Sequence, residues 1–208
     1  MYLKFDSIAH SFVGFLTLQG SIPASTQQAT SNAPVEIDSS IFKTPIVINP
    51  LAQAATVETT NGLVRTYYQA TDGSIVEIIP SFPASSGYSS GTLIPAGVAK
   101  TNTPIAAISW GAFDEIHVYY IGTAYNNTHL REKVWKSGAG WSDGSLNGLT
   151  YTVQTNTSLL TAYHNGTTVA DSLWRVAFVC ATGGQAVPGS LCEAWKTSKT
   201  DWQWTYYA

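Results

Sequence analysis

Apolar and polar residues alternate along many short runs of this chain, and nowhere do they fall into the 3.6-residue stripe of an amphipathic helix. The clearest runs are Leu63-Val64-Arg65-Thr66-Tyr67-Tyr68-Gln69, Glu115-Ile116-His117-Val118-Tyr119-Tyr120-Ile121 and Leu173-Trp174-Arg175-Val176-Ala177-Phe178-Val179. Each is rich in β-branched and aromatic residues, which suit a pleated, half-buried surface and predict a strand. A smaller apolar strand precedes each of them, at Ala54–Val57, Ile105–Trp110 and Leu159–Tyr163. After a turn comes a third strand carrying a glutamate, at Ser74–Glu77, His129–Glu132 and Ser190–Glu193. A fourth, turn-led segment closes each unit: Ser86-Gly87-Tyr88, Ala139-Gly140-Trp141 and Thr200-Asp201-Trp202.

The central position of the unit recurs at 65, 117 and 175, and a repeat of about 50 residues with four short strands is the sequence mark of a β-propeller. An all-β chain of about three four-stranded antiparallel blades is therefore expected, near 51–98, 103–150 and 151–208. A β-sandwich with coincidental internal similarity is the alternative, which four aligned elements in three copies disfavour. Thr44-Pro45-Ile46-Val47-Ile48 echoes Thr103-Pro104-Ile105-Ala106-Ala107, so the first unit could begin nearer 44. Residues 25–50 read as a Ser/Thr/Ala/Gln/Pro-rich linker and 1–24 as an apolar leader or signal peptide. Known propellers have roughly four to eight blades, because an open arc leaves edges and faces uncovered. Three blades thus point to a homo-oligomer, with two copies completing a six-bladed ring, or to a fragment.

Composition narrows the partners. The 208 residues hold 10 Lys+Arg at a net charge of -3, which leaves no basic footprint for nucleic acid. Hydrophobic content of 44% can fill a core, while no apolar stretch reaches the roughly 20 residues that span a bilayer. Sequons at Asn126, Asn156 and Asn165 favour a secretory route, with glycosylation at those asparagines. The leader is a poor signal, with Asp6 and His10 interrupting it. A secreted protein is expected, and a cytoplasmic one otherwise.

Chemistry concentrates on the second and third strands. Side chains alternate faces along a strand, so Arg65 and Glu77 can meet on one face of the first unit, and Arg175 and Glu193 on one face of the third. The middle unit keeps Glu132 but has His117 in the arginine's place. By the same parity Cys180 and Cys192 share the opposite face of the third unit, where a hairpin disulfide fits, two free core thiols being the alternative. A guanidinium fork beside a carboxylate matches neighbouring sugar hydroxyls, and an indole supplies a plate for a sugar's apolar face. A cross-strand salt bridge beside a core aromatic would look the same. On these residues alone both readings stay open.

Tyr-Tyr-Gln-Ala-Thr-Asp-Gly at 67–73, Thr-Pro-Ile-Ala-Ala-Ile-Ser-Trp-Gly at 103–111 and Gly-Trp-Ser-Asp-Gly at 140–144 resemble the fungal fucose-specific lectins of the Aleuria aurantia type. The likeness covers about 55–205 and is strongest at 62–145. It implies a six-bladed propeller that binds fucosylated glycans between blades without turnover, using Arg and Glu of one blade and aromatics of the next. Related two-blade bacterial chains trimerise to reach six. Carried onto this chain, the resemblance pairs Arg65 and Glu77 with Trp135 and Trp141 of the second unit. It pairs Glu132 with Trp202, in a site that His117 would leave weak or inactive. Arg175 and Glu193 would need an aromatic from another chain, with Tyr88 at the corresponding place.

Catalytic readings carry less. Gly87-Tyr88-Ser89-Ser90-Gly91 and Gly140-Trp141-Ser142-Asp143-Gly144 match the esterase G-x-S-x-G pattern, but they fall at equivalent places of the repeat and read as blade turns, not as a strand–turn–helix elbow. A glycosidase needs two carboxylates across one bond, and each unit offers one recurrent carboxylate, with Asp72 and Asp143 reading as turn residues. His10, His117, His129 and His164 show no metal-binding spacing, and phosphate and dinucleotide loops are absent, so no cofactor is expected. A propeller-fold glycan hydrolase and a degenerate, non-binding propeller fragment remain the competing functions.

Overall fold

The computed structural model describes residues 47–81, 87–124, 127–181 and 187–207, which belong to one compact unit. The leader at 1–24, most of the linker at 25–50, and Asn126 lie outside the described residues.

Twelve strands form three four-stranded antiparallel sheets, each a simple meander in chain order. The first holds β1 (Ala54–Glu58), β2 (Val64–Gln69), β3 (Ile75–Pro80) and β4 (Tyr88–Ile94). The second holds β5 (Ile105–Trp110), β6 (Glu115–Ala124), β7 (Asn127–Lys136) and β8 (Gly140–Asp143). The third holds β9 (Leu160–His164), β10 (Leu173–Val179), β11 (Leu191–Thr197) and β12 (Gln203–Tyr206). The first strands lie side by side, β1 against β5 and β5 against β9, as propeller blades are set around an axis.

Short turns hold the meanders. In the β2–β3 turn the Asp72 carboxylate accepts from the Ser74 amide at 2.9 Å and the Ser74 hydroxyl at 2.7 Å, while Gly73 takes φ 87, a conformation that suits glycine. Ahead of each sheet an isolated bridge ties the incoming chain to the far end of the second strand: Ile48 to Ala70, Ala99 to Gly122 and Val153 to Cys180. Ile48 therefore holds the place of Ala99, ahead of β5, rather than that of a residue within Ile105–Ala107. Cys180 and Cys192 are disulfide-bonded across the β10–β11 hairpin, with Cα atoms 5.8 Å apart.

Two cores fill the spaces between sheets. Ile116, Val118 and Tyr120 of β6 pack towards the first sheet with Val57, Tyr67 and Ile75. Tyr119 and Ile121, on the other face of β6, join Trp174, Val176, Phe178 and Ala194 of the third sheet. Both faces of β6 are covered, so residues 116–122 are buried in succession, whereas burial alternates along β10. Burying one such side chain stabilises by about 1.5–3 kcal/mol, so these cores outweigh the ion pairs described next.

Three segments differ from expectation. The serine motifs at 87–91 and 140–144 lie largely within β4 and β8 rather than in turns, and Asp143 is a strand residue whose carboxylate meets Lys133 at 2.6 Å. Thr200-Asp201-Trp202 leads into the fourth strand of the third sheet but stops short of it, so β12 carries Trp204.

Candidate functional site

The first interface unites residues from five elements. Register places Tyr67 directly opposite Glu77, so Arg65, two residues earlier on the same face, reaches the carboxylate diagonally. Arg65 Nη1 donates to Glu77 Oε1 at 3.0 Å, and the Tyr67 hydroxyl donates to the same oxygen at 3.1 Å. From the second sheet Trp141 Nε1 approaches Glu77 Oε2 at 3.4 Å. The Arg65 guanidinium lies 4.6 Å from the centre of the Trp135 ring and 5.1 Å from that of Phe113, between two aromatic faces. Trp141 stands edge-on to Tyr67 at 5.9 Å and to Trp135 at 5.8 Å.

These groups are held but not used up. Arg65 and Glu77 keep 14% and 12% of their side-chain exposure. Among the described residues Arg65 makes one hydrogen bond to Glu77, leaving most of its five donors unspent, and Glu77 Oε2 meets the Trp141 indole at 3.4 Å. Burial, then the Glu77 charge, pushes the Tyr67 phenol well above its ordinary pKa, so it stays a neutral donor. Exposed or half-buried ion pairs contribute little stability. A partly open pair with spare donors and acceptors is suited to a polar ligand.

The second interface repeats the plan with other residues. Tyr119 lies opposite Glu132, and His117 stands in the arginine's place. Its Nδ1 is 2.8 Å from Glu132 Oε1 and its Nε2 is 2.7 Å from Glu115 Oε1, so the imidazole bridges two carboxylates. Burial alone would lower the His117 pKa; hydrogen bonds and charges from Glu115 and Glu132 overcome it and shift it upward. Burial would likewise raise Glu115, but the His117 hydrogen bond and charge, with Lys136 behind them, lower it. Glu132 is 1% exposed and its second oxygen accepts from the Leu146 amide at 3.2 Å. Gly144 leaves room for it, since a Cβ there would overlap the carboxylate. Trp202 stands edge-on to Tyr119 at 6.3 Å, as Trp141 does to Tyr67, and meets Trp174 at 6.4 Å, while its Nε1 donates to Ser145 Oγ at 3.2 Å.

The third pair, Arg175 Nη1 to Glu193 Oε1, is 2.6 Å long, with Ala177 where the other sheets have tyrosine. Among the described residues no fourth sheet covers it, and the Arg175 side chain is 42% exposed. Tyr88 begins β4 opposite Pro80, at the outer edge of the first sheet. Asn156 and Asn165 lie exposed in turns of the third unit, the latter's Oδ1 accepting from the Leu173 amide at 2.8 Å. The structure thus brings Arg65, Glu77, Trp135 and Trp141 into one cluster, sets Trp202 against Tyr119 beside Glu132's strand partner, and places Tyr88 and Arg175 on different sheets.

Three partners escaped the sequence reading. Tyr67 and Glu115 sit two residues from Arg65 and His117, and period-two alternation was a usable signal for both. Phe113 had none: it occupies the β5–β6 turn at φ 64, and only the fold carries it over Arg65.

Comparison with known proteins gives the same answer at larger scale. The model of a family described as fungal fucose-specific lectin matches residues 47–197. A fucose-specific lectin of Aspergillus oryzae is 37% identical over 100 residues, which cover 48% of this chain and 29% of that one. AofleA from Arthrobotrys oligospora superposes with a TM-score of 0.60 at 22% identity, over 74% of this chain and 41% of that chain. The Aleuria aurantia lectin, solved as a six-bladed β-propeller, superposes with a TM-score of 0.56 at 24% identity, over 79% and 50%. The three sheets are propeller blades, and the chain spans half or less of the length of these relatives.

Proposed function

The chain belongs to the fungal fucose-specific lectin family, and from that premise we propose that it binds fucose-bearing glycans at the first interface and does so without catalysis. The observation that carries the proposal is the cluster of Arg65, Glu77, Trp135 and Trp141 across two blades. A sugar hydroxyl both donates and accepts. Adjacent ring hydroxyls can therefore accept from the spare Arg65 donors while donating to Glu77 Oε2. The indole of Trp141 offers an apolar wall to the C6 methyl side of the deoxysugar. Nothing in the step makes or breaks a bond: Glu77 is held by a cation and two further donors, the reverse of what a general acid needs. The Aspergillus oryzae relative is named for fucose specificity, which supports the choice of sugar.

The Arg175–Glu193 pair makes a half-site. We infer that a further blade supplies its aromatic wall, with a second copy of the chain, presenting Tyr88, as the donor. Several modest sites held together would then give avidity on a glycan surface. Calorimetric titration with L-fucose, with D-galactose as the control, tests this reading. Saturable heat with fucose, from a species of twice the chain mass in sedimentation, is expected. Fucose no better than galactose would overturn the binding, and a monomer would overturn the second copy.

A further inference from the structure

The register positions that carry an isoleucine and a tryptophan in the first interface carry a tryptophan and a lysine in the second. Ile116 and Trp135 are directly opposite each other on β6 and β7, on the face that meets Arg65. Their counterparts on β10 and β11 are Trp174 and Lys196, also directly opposite each other, on the face that meets His117. Both line a cavity of about 400 Å³ between the second and third sheets, within the size range of small-molecule pockets.

Those two donors lack partners of matching strength. Trp174 is 3% exposed, yet among the described residues its Nε1–H meets no acceptor, and an unsatisfied buried donor is costly. Other buried indoles of the same core are satisfied, Trp110 by Ser172 at 2.7 Å and Trp202 by Ser145 at 3.2 Å. Lys196 Nζ donates to that same Ser145 hydroxyl at 2.9 Å, and among the described residues no carboxylate comes within ion-pair distance of it. Acceptors in the cavity are spent instead. Glu132 is held by His117 and the Leu146 amide, Glu115 by His117 at 2.7 Å and Lys136 at 3.6 Å, and Asp143, also at the cavity, by Lys133 at 2.6 Å. In the first interface the balance is the opposite, because Glu77 Oε2 is nearly free and can accept from a neutral hydroxyl.

We propose that this cavity binds a carboxylate-bearing sugar of the hexuronate class, its carboxylate accepting from Lys196 Nζ and Trp174 Nε1. The proposal rests on the carbohydrate-binding reading above and assigns a different ligand to the second interface. A ring carboxylate supplies an acceptor to the unpartnered Trp174 Nε1–H and a counter-charge to Lys196, which meets only the Ser145 hydroxyl among the described residues, whereas a neutral polyol would leave the ammonium unpaired.

The test is a titration of the ¹⁵N-labelled chain, followed at the indole N–H resonances, with methyl β-D-glucuronide, methyl β-D-glucoside and methyl α-L-fucoside. The Trp174 resonance is assigned by its loss in Trp174→Phe. Glucuronide is expected to move it at concentrations at least about tenfold below those needed by the glucoside, and Lys196→Gln to raise that concentration about tenfold or more. In Lys196→Gln the fucoside should still move the Trp141 resonance as in the wild type. Glucuronide no better than glucoside, an unchanged response in Lys196→Gln, or equal movement of Trp174 by the fucoside would each overturn the assignment. A fucoside response at Trp141 with glucuronide silent would defeat this inference alone. A glucuronide response with fucoside silent would defeat the fucose reading alone.

Discussion

Arg65 spends one donor on Glu77 and is held between Trp135 and Phe113, so its plane is fixed before any ligand arrives. Preorganisation of this kind lowers the cost of binding, because little rotamer freedom remains to be lost. It also makes arginine hard to replace: lysine brings a point charge on a flexible stem, with no planar fork to stack or to bond two oxygens at once. Arg65→Lys is therefore expected to weaken fucose binding by at least about tenfold, roughly 1.4 kcal/mol, while the thermal midpoint moves little. Calorimetric titration beside a melting curve checks both, and an unchanged affinity would remove Arg65 from the site. Residue type and parity pair Arg65 with Glu77, and the resemblance to the fucose-specific lectins adds Trp135 and Trp141. What escaped was contact made by a turn. Phe113 has no periodic position from which its reach over Arg65 could be inferred, and nothing in the repeat signalled that Ser145 would take the Trp202 Nε1–H.

At the scale of strands, the alternation of side chains made the sheets legible. The three strands at 64–69, 115–124 and 173–179 carry β-branched and aromatic residues at more than half of their positions, which marks them as strands. Ends were less legible: β7 runs from Asn127 to Lys136, well beyond the expected 129–132, because pairing with β6 extends as far as the hairpin allows. The β6–β7 pair also carries a pH-dependent element. His117 faces Glu132 from β7, Glu115 from its own strand and the Tyr119 hydroxyl, with Lys136 beyond Glu115. Its folded pKa lies above the ordinary 6.5, so its contribution to stability is complete below that value and is lost as pH rises through the folded one. Glu115 lies below its ordinary 4.5, so its contribution is complete above 4.5 and is lost as pH falls through the folded pKa. Between about pH 4.5 and 6.5 both contribute in full. Thermal melts of the wild type and His117→Gln across pH 5 to 9 should show the wild type's advantage shrinking above about pH 6.5. An advantage that stays constant across that range would mean that His117 does not carry a proton in the folded blade.

For the whole molecule, three blades bring two covered interfaces and one open face, and the chemistry differs at each. Arg65 has an aromatic wall from the next blade, His117 has Lys196 and Trp174 in the equivalent places, and Arg175 has no blade beside it among the described residues. Repetition in the sequence was enough to give the fold class, since the same four-strand pattern had to fold the same way three times. It could not give the divergence between sites, which depends on which residue of one blade faces which residue of the next. The account stands or falls on the first interface. A crystal structure of the chain with methyl α-L-fucoside tests it most directly. The sugar is expected between the first and second blades, its hydroxyls on Arg65 and Glu77 and its methyl group against Trp141. Electron density for fucoside only at the His117 cavity, or only on surfaces away from both, would contradict it.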